Sequence, residues 1–379
     1  MPIQFDPKVH LAYNPPESRV MMADLGKAGE GIAPVGITQP FPLLSEEGVR
    51  AIREEIFSPR ILDRCTHTTA LAPCQIRGMS CRPGFAAFNE ALWTHPETIR
   101  AVSEAAGIDL VPIIPYELGH VNVQLTFGPE TLSKLGREPL RAEVPVVHQE
   151  SVVPKIVPGF NNLPALVPST DSDTESEGEV DLLSPVAPDD KKSEPVIAGV
   201  AAPAPPEPAK NEDRPVVGWH RDSYPWVCVL MLSDASTMQG GETALACADG
   251  TVKKIRGPQM GWAVMLQGRY IDHVALNASG APERVTMVTS YRAKDVMVAD
   301  DSVLTTIRPM VNLNELYFEW STYRLDLLSE RFKRQSEAFK KKRENGQGPW
   351  GEEIVNKDEF KAWCREQIKY LQTTIDEMV

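Results

Sequence analysis

Residues 216–226 constrain this chain more than any other stretch, because they hold a histidine and an aspartate two residues apart. In an extended strand, side chains alternate between the two faces, so His220 and Asp222 point the same way. A second histidine, His273, follows within a pattern of strand, turn and strand. Two histidines and one carboxylate can hold a non-haem Fe(II) ion on one face and leave its other positions open. We therefore predict a metal centre formed by His220, Asp222 and His273.

A second polar pair follows on the next predicted strand. Arg284 and Thr286 are again two residues apart, so they share one face of that strand. A guanidinium group forks two hydrogen bonds onto a carboxylate, and a nearby hydroxyl can add a third. The pair therefore predicts a site for a carboxylate ligand.

In order and spacing, these residues resemble the Fe(II)- and 2-oxoglutarate-dependent dioxygenases. That family's signature is His-x-Asp, a distal His and then Arg-x-Ser/Thr, with a buried strand like 227–232 and a Gly-Gly-x-Thr turn like 240–243 between them. The resemblance covers roughly residues 216–295. It implies an α+β fold with a double-stranded β-helix core of the jelly-roll or cupin-like type, flanked by N- and C-terminal helices.

The resemblance also implies cofactors and an activity. Fe(II) would be held by the His-Asp-His set, 2-oxoglutarate would be the co-substrate held by Arg284 and Thr286, and O₂ and ascorbate would serve as oxidant and reductant. On the strand before the metal motif, Gln124 or Asn122 is a candidate co-substrate contact. A solvent-exposed outer face of the strand would explain these two polar residues equally well. The implied reaction releases succinate and CO₂ while an unactivated C–H bond is oxidised. Hydroxylation, desaturation and ring closure remain open.

The expected substrate is a small molecule, because the sequence shows no sign of a peptide groove, histone-reader module or lipid-binding helix; an amino acid as that substrate is what the family resemblance implies. The C-terminal half also resembles fungal oxygenases of secondary metabolism, including one that closes an aziridine ring on a branched amino acid. Candidate wall residues of the substrate site are Tyr224, Trp226, Arg292 and Phe318. Arg292 could anchor a substrate carboxylate or form a surface ion pair.

Composition shifts divide the chain into five segments. Residues 1–44, rich in proline and glycine, predict an extended N-terminal arm. Residues 45–164 predict a helical buttress and the first strands, 216–310 the β core with its metal and co-substrate sites, and 311–379 the C-terminal helices. Helix starts are indicated at Ser45, a capping hydroxyl followed by acids, and at Pro96, whose helix ends at Gly107.

Residues 165–215 predict a disordered, acidic and proline-rich insertion. A highly charged segment with few aromatic residues can bury too little apolar surface to offset the conformational entropy lost on folding. Nine acids and two lysines lie between Asp171 and Glu194, so this stretch holds much of the formal net charge of −13. A passive loop is the simplest interpretation. The alternative function for the whole chain is a catalytically silent β-helix protein that acts through this insertion as an interaction module.

Other classes of protein fit the sequence poorly. His220-Arg221-Asp222 also resembles the start of a kinase catalytic loop, but no Asp-Phe-Gly motif follows. Nothing is basic enough to follow a phosphate backbone, so we expect no nucleic-acid partner. No apolar run would span a membrane, the N-terminus has no secretory pattern, and six cysteines without a close CxxC pair predict reduced thiols in a cytoplasmic protein. The sequence does not predict an oligomeric state.

Overall fold

The computed structural model describes residues 3–67, 74–125, 135–141, 218–346 and 353–379. The predicted insertion at 165–215 lies outside the described residues. The helices are α1 Pro7–His10, α2 Glu46–Ile56, α3 Pro59–Cys65, α4 Ala87–Thr94, α5 Pro96–Ala106, α6 Leu313–Glu344 and α7 Lys357–Asp376. The strands are β1 Arg19–Met21, β2 Val35–Thr38, β3 Phe41–Pro42, β4 Thr66–His67, β5 Gln75–Ile76, β6 Leu110–Pro112, β7 His120–Leu125, β8 Trp226–Met231, β9 Gln239–Gly240, β10 Thr243–Ala246, β11 Val252–Ile255, β12 Trp262–Leu266, β13 His273–Ala275, β14 Ala278–Ser279 and β15 Glu283–Ala293.

The described strands form one large antiparallel sheet and two smaller ones. The large sheet runs β1-β2-β12-β8-β15-β7-β5-β4, with β3 beside β12 and β6 beside β15. A three-stranded sheet has the order β11-β10-β13, and β14 pairs with β9. The protein is therefore a mixed α+β fold with antiparallel sheets, which confirms that part of the sequence prediction.

The N-terminal segment contributes strands to the large sheet, whereas the sequence predicted an extended arm packed over the body or loosely held. Strand β2 is buried along its whole length, and its Ile37 pairs with Leu266 of β12. Strand β1 extends the same sheet, with Val20 opposite Ile37. The prolines and glycines of this segment lie mostly in the connections between these short strands.

One face of the large sheet packs against the three-stranded sheet. Leu245 of β10 and Ile255 of β11 share an apolar cluster with Val227 of β8 and Leu266 of β12. Val288 of β15 belongs to the same cluster, so even-numbered residues of β15 face this interior. The two facing sheets therefore enclose the space in which residues of β7, β8 and β15 can reach the predicted site.

Helices cover the opposite face of the large sheet. Ile52 of α2, Trp93 of α4 and Val102 of α5 pack with Leu230 of β8 and Met287 of β15 in the largest apolar cluster. The local signals for these helices are confirmed. The Ser45 hydroxyl accepts a hydrogen bond from the Gly48 amide, and Gly107 ends α5 at a φ of 72°, in the left-handed region that favours glycine.

The C-terminal helices pack on the end of the sheet structure. Trp320 of α6 is fully buried in a cluster with Tyr116, and its indole nitrogen donates to the Thr374 carbonyl of α7. Glu319 accepts a hydrogen bond from the Tyr116 amide at 2.7 Å. Among the described residues, no helix combines the length and the apolar character needed to cross a membrane.

Candidate metal centre

The three predicted ligands meet because two distant segments pair with each other. His220 and His273 form an antiparallel bridge in which each amide donates to the other's carbonyl, at 3.1 and 3.0 Å. The Asp222 amide donates to the Gly268 carbonyl at 2.9 Å, which continues the pairing. The imidazole centroids consequently lie 4.5 Å apart. Backbone pairing, rather than a mobile loop, therefore positions all three side chains.

In each of the two imidazoles, a contact between Nδ1 and a backbone carbonyl oxygen decides which ring nitrogen is free to bind a metal. Nδ1 of His220 lies 2.8 Å from the Gly218 carbonyl oxygen, and Nδ1 of His273 lies 2.9 Å from that of Ile271. A carbonyl oxygen only accepts hydrogen bonds, so each Nδ1 carries the proton of the neutral ring. Each Nε2 then presents a lone pair, and a hydrogen bond at Nδ1 is the usual support of a metal-binding histidine.

The ligand atoms fit a small metal ion. Nε2 of His220 lies 3.8 Å from Oδ1 of Asp222, Nε2 of His273 lies 3.5 Å from Oδ2, and all three donors lie within 4.8 Å of one another. Metal–ligand distances of about 2.1 Å place neighbouring donors of one octahedral face about 3 Å apart. The donor atoms are thus slightly farther apart than they would be around a bound ion, and small side-chain rotations would bring them to the bound distances. These three residues form a group that could hold a metal ion.

The electrostatic setting of His273 favours its neutral, metal-binding form. Burial lowers the pKa of His273, the neighbouring His220 lowers it further, and the Asp222 carboxylate opposes both. His273 is buried, whereas His220 and Asp222 keep 30% and 22% of their side-chain surface exposed. The centre is therefore closed on the His273 side and open on the side of the other two ligands.

Two supporting interactions of the centre were missed in the sequence. Gly268 lies so close to Asp222 that a Cβ on it would fall 1.8 Å from Oδ2, so only glycine fits beside this carboxylate. On the opposite side, Arg221 donates to the Asp272 carboxylate at 2.8 and 3.1 Å and links the two ligand-bearing segments. From the sequence, Gly268 could be predicted only as part of a turn. Its closeness to Asp222 depends on the tertiary structure.

The predicted carboxylate-binding pair lies on the inner face of β15. Arg284 is opposite Gln124 of β7, and Thr286 is opposite Asn122. Nε of Arg284 is buried and has no hydrogen-bond partner among the described residues. A Cβ on Gly241, in the Gly-Gly turn, would lie 3.8 Å from that nitrogen. The structure therefore brings the turn and the arginine together.

Burial lowers the pKa of Arg284, since the charged guanidinium has lost much of its hydration. Among the described residues, no acid forms an ion pair with it. A partly buried cation without a counter-ion costs free energy, so the arrangement favours an anionic ligand at this place. Oε1 of Gln124 is likewise buried without a partner in the described part of the chain, whereas the Asn122 side chain accepts a hydrogen bond from Gln75.

The four candidate substrate residues do not share one surface. Trp226 is fully buried in the cluster under the helices, on the opposite face of β8 from the interior. Phe318 lies on α6 with 68% of its surface exposed. Arg292 donates to the Ala293 carbonyl and lies 5.8 Å from the centre of the Tyr323 ring. Tyr224 is 1% exposed and comes closest to the metal ligands along the chain.

The comparisons with known proteins do not extend this picture: the chain matches no protein-family model and no curated protein.

Proposed function

We propose that the facing sheets form a double-stranded β-helix and that the chain is a non-haem Fe(II)- and 2-oxoglutarate-dependent dioxygenase acting on a small molecule. The observation that carries this proposal is the His220–His273 backbone bridge, which directs two Nε2 lone pairs and the Asp222 carboxylate to one point. Two nitrogens and one carboxylate on a single face are typical of Fe(II) oxygenases that leave positions for co-substrate and O₂. A structural zinc site would have four protein ligands instead.

The second support comes from the partly buried arginine. Nε of Arg284 is buried without a hydrogen-bond partner among the described residues, and Thr286 lies on the same strand face. A dicarboxylate such as 2-oxoglutarate would supply the missing negative charge through its far carboxylate. A silent barrel that acts through the acidic insertion would have no use for this pair.

In the proposed reaction, each residue has a defined task. When bound, Fe(II) would supply the chemistry by which O₂ oxidises both 2-oxoglutarate, with release of succinate and CO₂, and a substrate C–H bond. The Asp222 carboxylate would offset part of the positive charge of the metal ion. The hydrogen bonds at Nδ1 hold the imidazoles of His220 and His273 in the tautomer whose Nε2 can bind the metal. Arg284 and Thr286 orient the co-substrate, and the apolar side chains of the enclosed cluster limit the access of water.

Succinate release tests the proposal. The full-length protein is loaded anaerobically with Fe(II), supplied with 2-oxoglutarate and ascorbate, and exposed to O₂. Succinate should form, and His220→Ala and Asp222→Ala should each reduce it by at least about 100-fold, since loss of a ligand removes the metal or its geometry. Phe318→Ala, which alters an exposed side chain of α6, serves as the control.

The outcome separates the two candidate functions. Succinate that depends on both ligands establishes the oxygenase. Absence of succinate from protein shown by metal analysis to contain iron would refute it, and the acidic insertion would then be the first place to look for a function.

A further inference from the structure

One side of helix α6 carries large apolar side chains that nothing in the described part of the chain covers. Phe318, Leu325 and Phe332 are 68%, 58% and 50% exposed. They lie seven residues apart, a spacing that keeps side chains close to one line along a helix. A fourth residue at the same spacing, Phe339, packs on Phe360 of α7 with ring centres 5.4 Å apart. The exposed line on α6 therefore consists of the first three residues.

Helix α7 carries a second exposed stripe beside this line. The Ser321 hydroxyl, which lies between the first two residues of the α6 line, is 3.8 Å from the sulfur of Met378. Farther along, the rings of Phe332 and Trp363 meet edge to face with centres 5.4 Å apart. The line on α6 and the stripe on α7 therefore adjoin, and we call them together the α6–α7 apolar face. The exposed residues of the α7 stripe are Ile368, Leu371, Ile375 and, just beyond the helix end, Met378.

The α6–α7 apolar face is larger than a monomer normally leaves in water. Its seven side chains are each about half exposed. A fully exposed side chain of this size presents about 150–250 Å², so the face presents roughly 600 Å² of apolar surface. Stable interfaces bury about 800 Å² on each partner, and this includes a polar rim. The face is thus large enough to form the apolar core of a stable interface.

The line on α6 is symmetric about Leu325, which indicates what covers it. Phe318 precedes Leu325 by seven residues, and Phe332 follows it by seven. If two copies of α6 run antiparallel with their Leu325 side chains in contact, Phe318 of each copy meets Phe332 of the other. A two-fold interface uses the same surface on both subunits and needs this kind of self-complementarity. The line therefore fits a second copy of the same chain.

The charges along α6 favour the same antiparallel orientation. Among the side chains of α6 that are not buried, residues 313–328 contain the acids Glu315 and Asp326 and no base. Residues 329–344 contain six bases and three acids on the same criterion. An antiparallel copy places the acidic half of each helix beside the basic half of the other, whereas a parallel copy would place like charges together. Such complementarity sets orientation more than affinity.

We propose that the chain forms a two-fold symmetric dimer through the α6–α7 apolar face, with α6 packed antiparallel on α6 of a second copy and Leu325 at the two-fold axis. Phe318 and Phe332 form the apolar contact on either side of the axis, and the stripe on α7 extends it. The dimer does not depend on the proposed oxygenase function, because no metal ligand lies on either helix.

Sedimentation of the full-length protein over a wide range of concentration tests the dimer. The wild type should sediment with twice the chain mass of 41.9 kDa. Leu325→Asp should raise the dissociation constant at least about 100-fold, because it brings two carboxylates together at the axis in apolar surroundings. Val9→Asp is the matched control, since Val9 is an exposed aliphatic residue of α1. Circular dichroism checks that each variant is folded.

Cysteine cross-linking tests the register. All variants are made in a Cys364→Ser background, which removes the partly exposed thiol of α7 and itself serves as the control for the remaining thiols. Leu325→Cys should form a disulfide-linked dimer on oxidation, because this residue meets its own copy. A mixture of Phe318→Cys and Phe332→Cys should also cross-link. Neither of these two variants should do so alone, because the two copies of each residue lie about 21 Å apart along the helix.

Three outcomes would overturn the proposal. The first is a wild-type protein that stays monomeric at every concentration, since the face would then be covered from elsewhere. The second is a dimer that Leu325→Asp leaves unchanged or that Val9→Asp weakens equally. The third is cross-linking by Phe318→Cys or Phe332→Cys alone, which would show a parallel pair of helices.

Discussion

Replacing Gly268 by alanine tests the metal centre through a residue that is not a ligand. A Cβ at this position would lie 1.8 Å from Oδ2 of Asp222, and real Cβ atoms essentially never approach closer than 3.0 Å. The carboxylate must therefore withdraw by more than about 1 Å, whereas metal–ligand distances tolerate only about 0.2 Å. We expect the affinity for Fe(II) or Co(II) to fall by at least about 10–100-fold, as it does when supporting residues of metal sites are lost.

The assay is a metal titration in competition with a chromophoric chelator, with the melting temperature of the metal-free protein measured alongside. Gly136→Ala is the matched control, because a Cβ at Gly136 would meet no atom of the described residues within 4 Å. A Cβ at Gly268 would also lie 2.8 Å from the Cβ of Asp222, so the backbone must shift in addition to the carboxylate, and the melting temperature measured alongside shows how much of the fold is kept. Wild-type metal affinity in a folded Gly268→Ala protein would refute the geometry described for Asp222.

Three further substitutions test other parts of the structure. Burial raises the pKa of Glu319 from 4.5 to about 7, so the contribution of this residue to the unfolding free energy is fully present below pH 4.5 and is lost as pH rises through about 7. Between pH 5 and pH 8, denaturation should show a loss that is about 2.5 kcal/mol larger in the wild type than in Glu319→Gln. Arg53→Met leaves the buried Glu283 carboxylate without its partner at 2.9 Å and should lower the unfolding free energy by about 3–5 kcal/mol; an unchanged denaturation midpoint would contradict this. Arg284→Lys should raise the KM for 2-oxoglutarate at least about 10-fold in the succinate assay, because lysine lacks the planar fork, and an unchanged KM would argue against this residue as the anchor.

Features of the site that depend on local geometry were predictable from the sequence. Strand alternation is a property of any extended backbone, so the shared direction of His220 and Asp222 followed from their spacing. The helix start at Ser45 and the helix end at Gly107 likewise followed from the chemistry of single residues. The mixed α+β class, by contrast, was expected from the family resemblance and not from local geometry.

Features that depend on which segments meet were not predictable. The N-terminal residues were expected to form an arm because their prolines and glycines obscure strands as short as β2, whose burial depends on pairing with β12. Trp226 was expected to line the substrate site, yet β8 is central and buried on both faces, and alternation places this side chain under the helices. Phe318 was also expected there, but its side chain is 68% exposed, and no neighbour among the described residues buries it.

The sequence by itself determined the kinds of ligand in the candidate site and their direction along each strand, because a backbone of fixed geometry alternates its side chains. Only the tertiary structure decided that His220 pairs with His273, that Gly268 leaves room for the Asp222 carboxylate, and that Arg77 forms a buried ion pair with Glu117. Those contacts join residues far apart in the chain. They form because burial of the apolar faces of two sheets brings the segments together, and local sequence patterns do not predict which segments will meet.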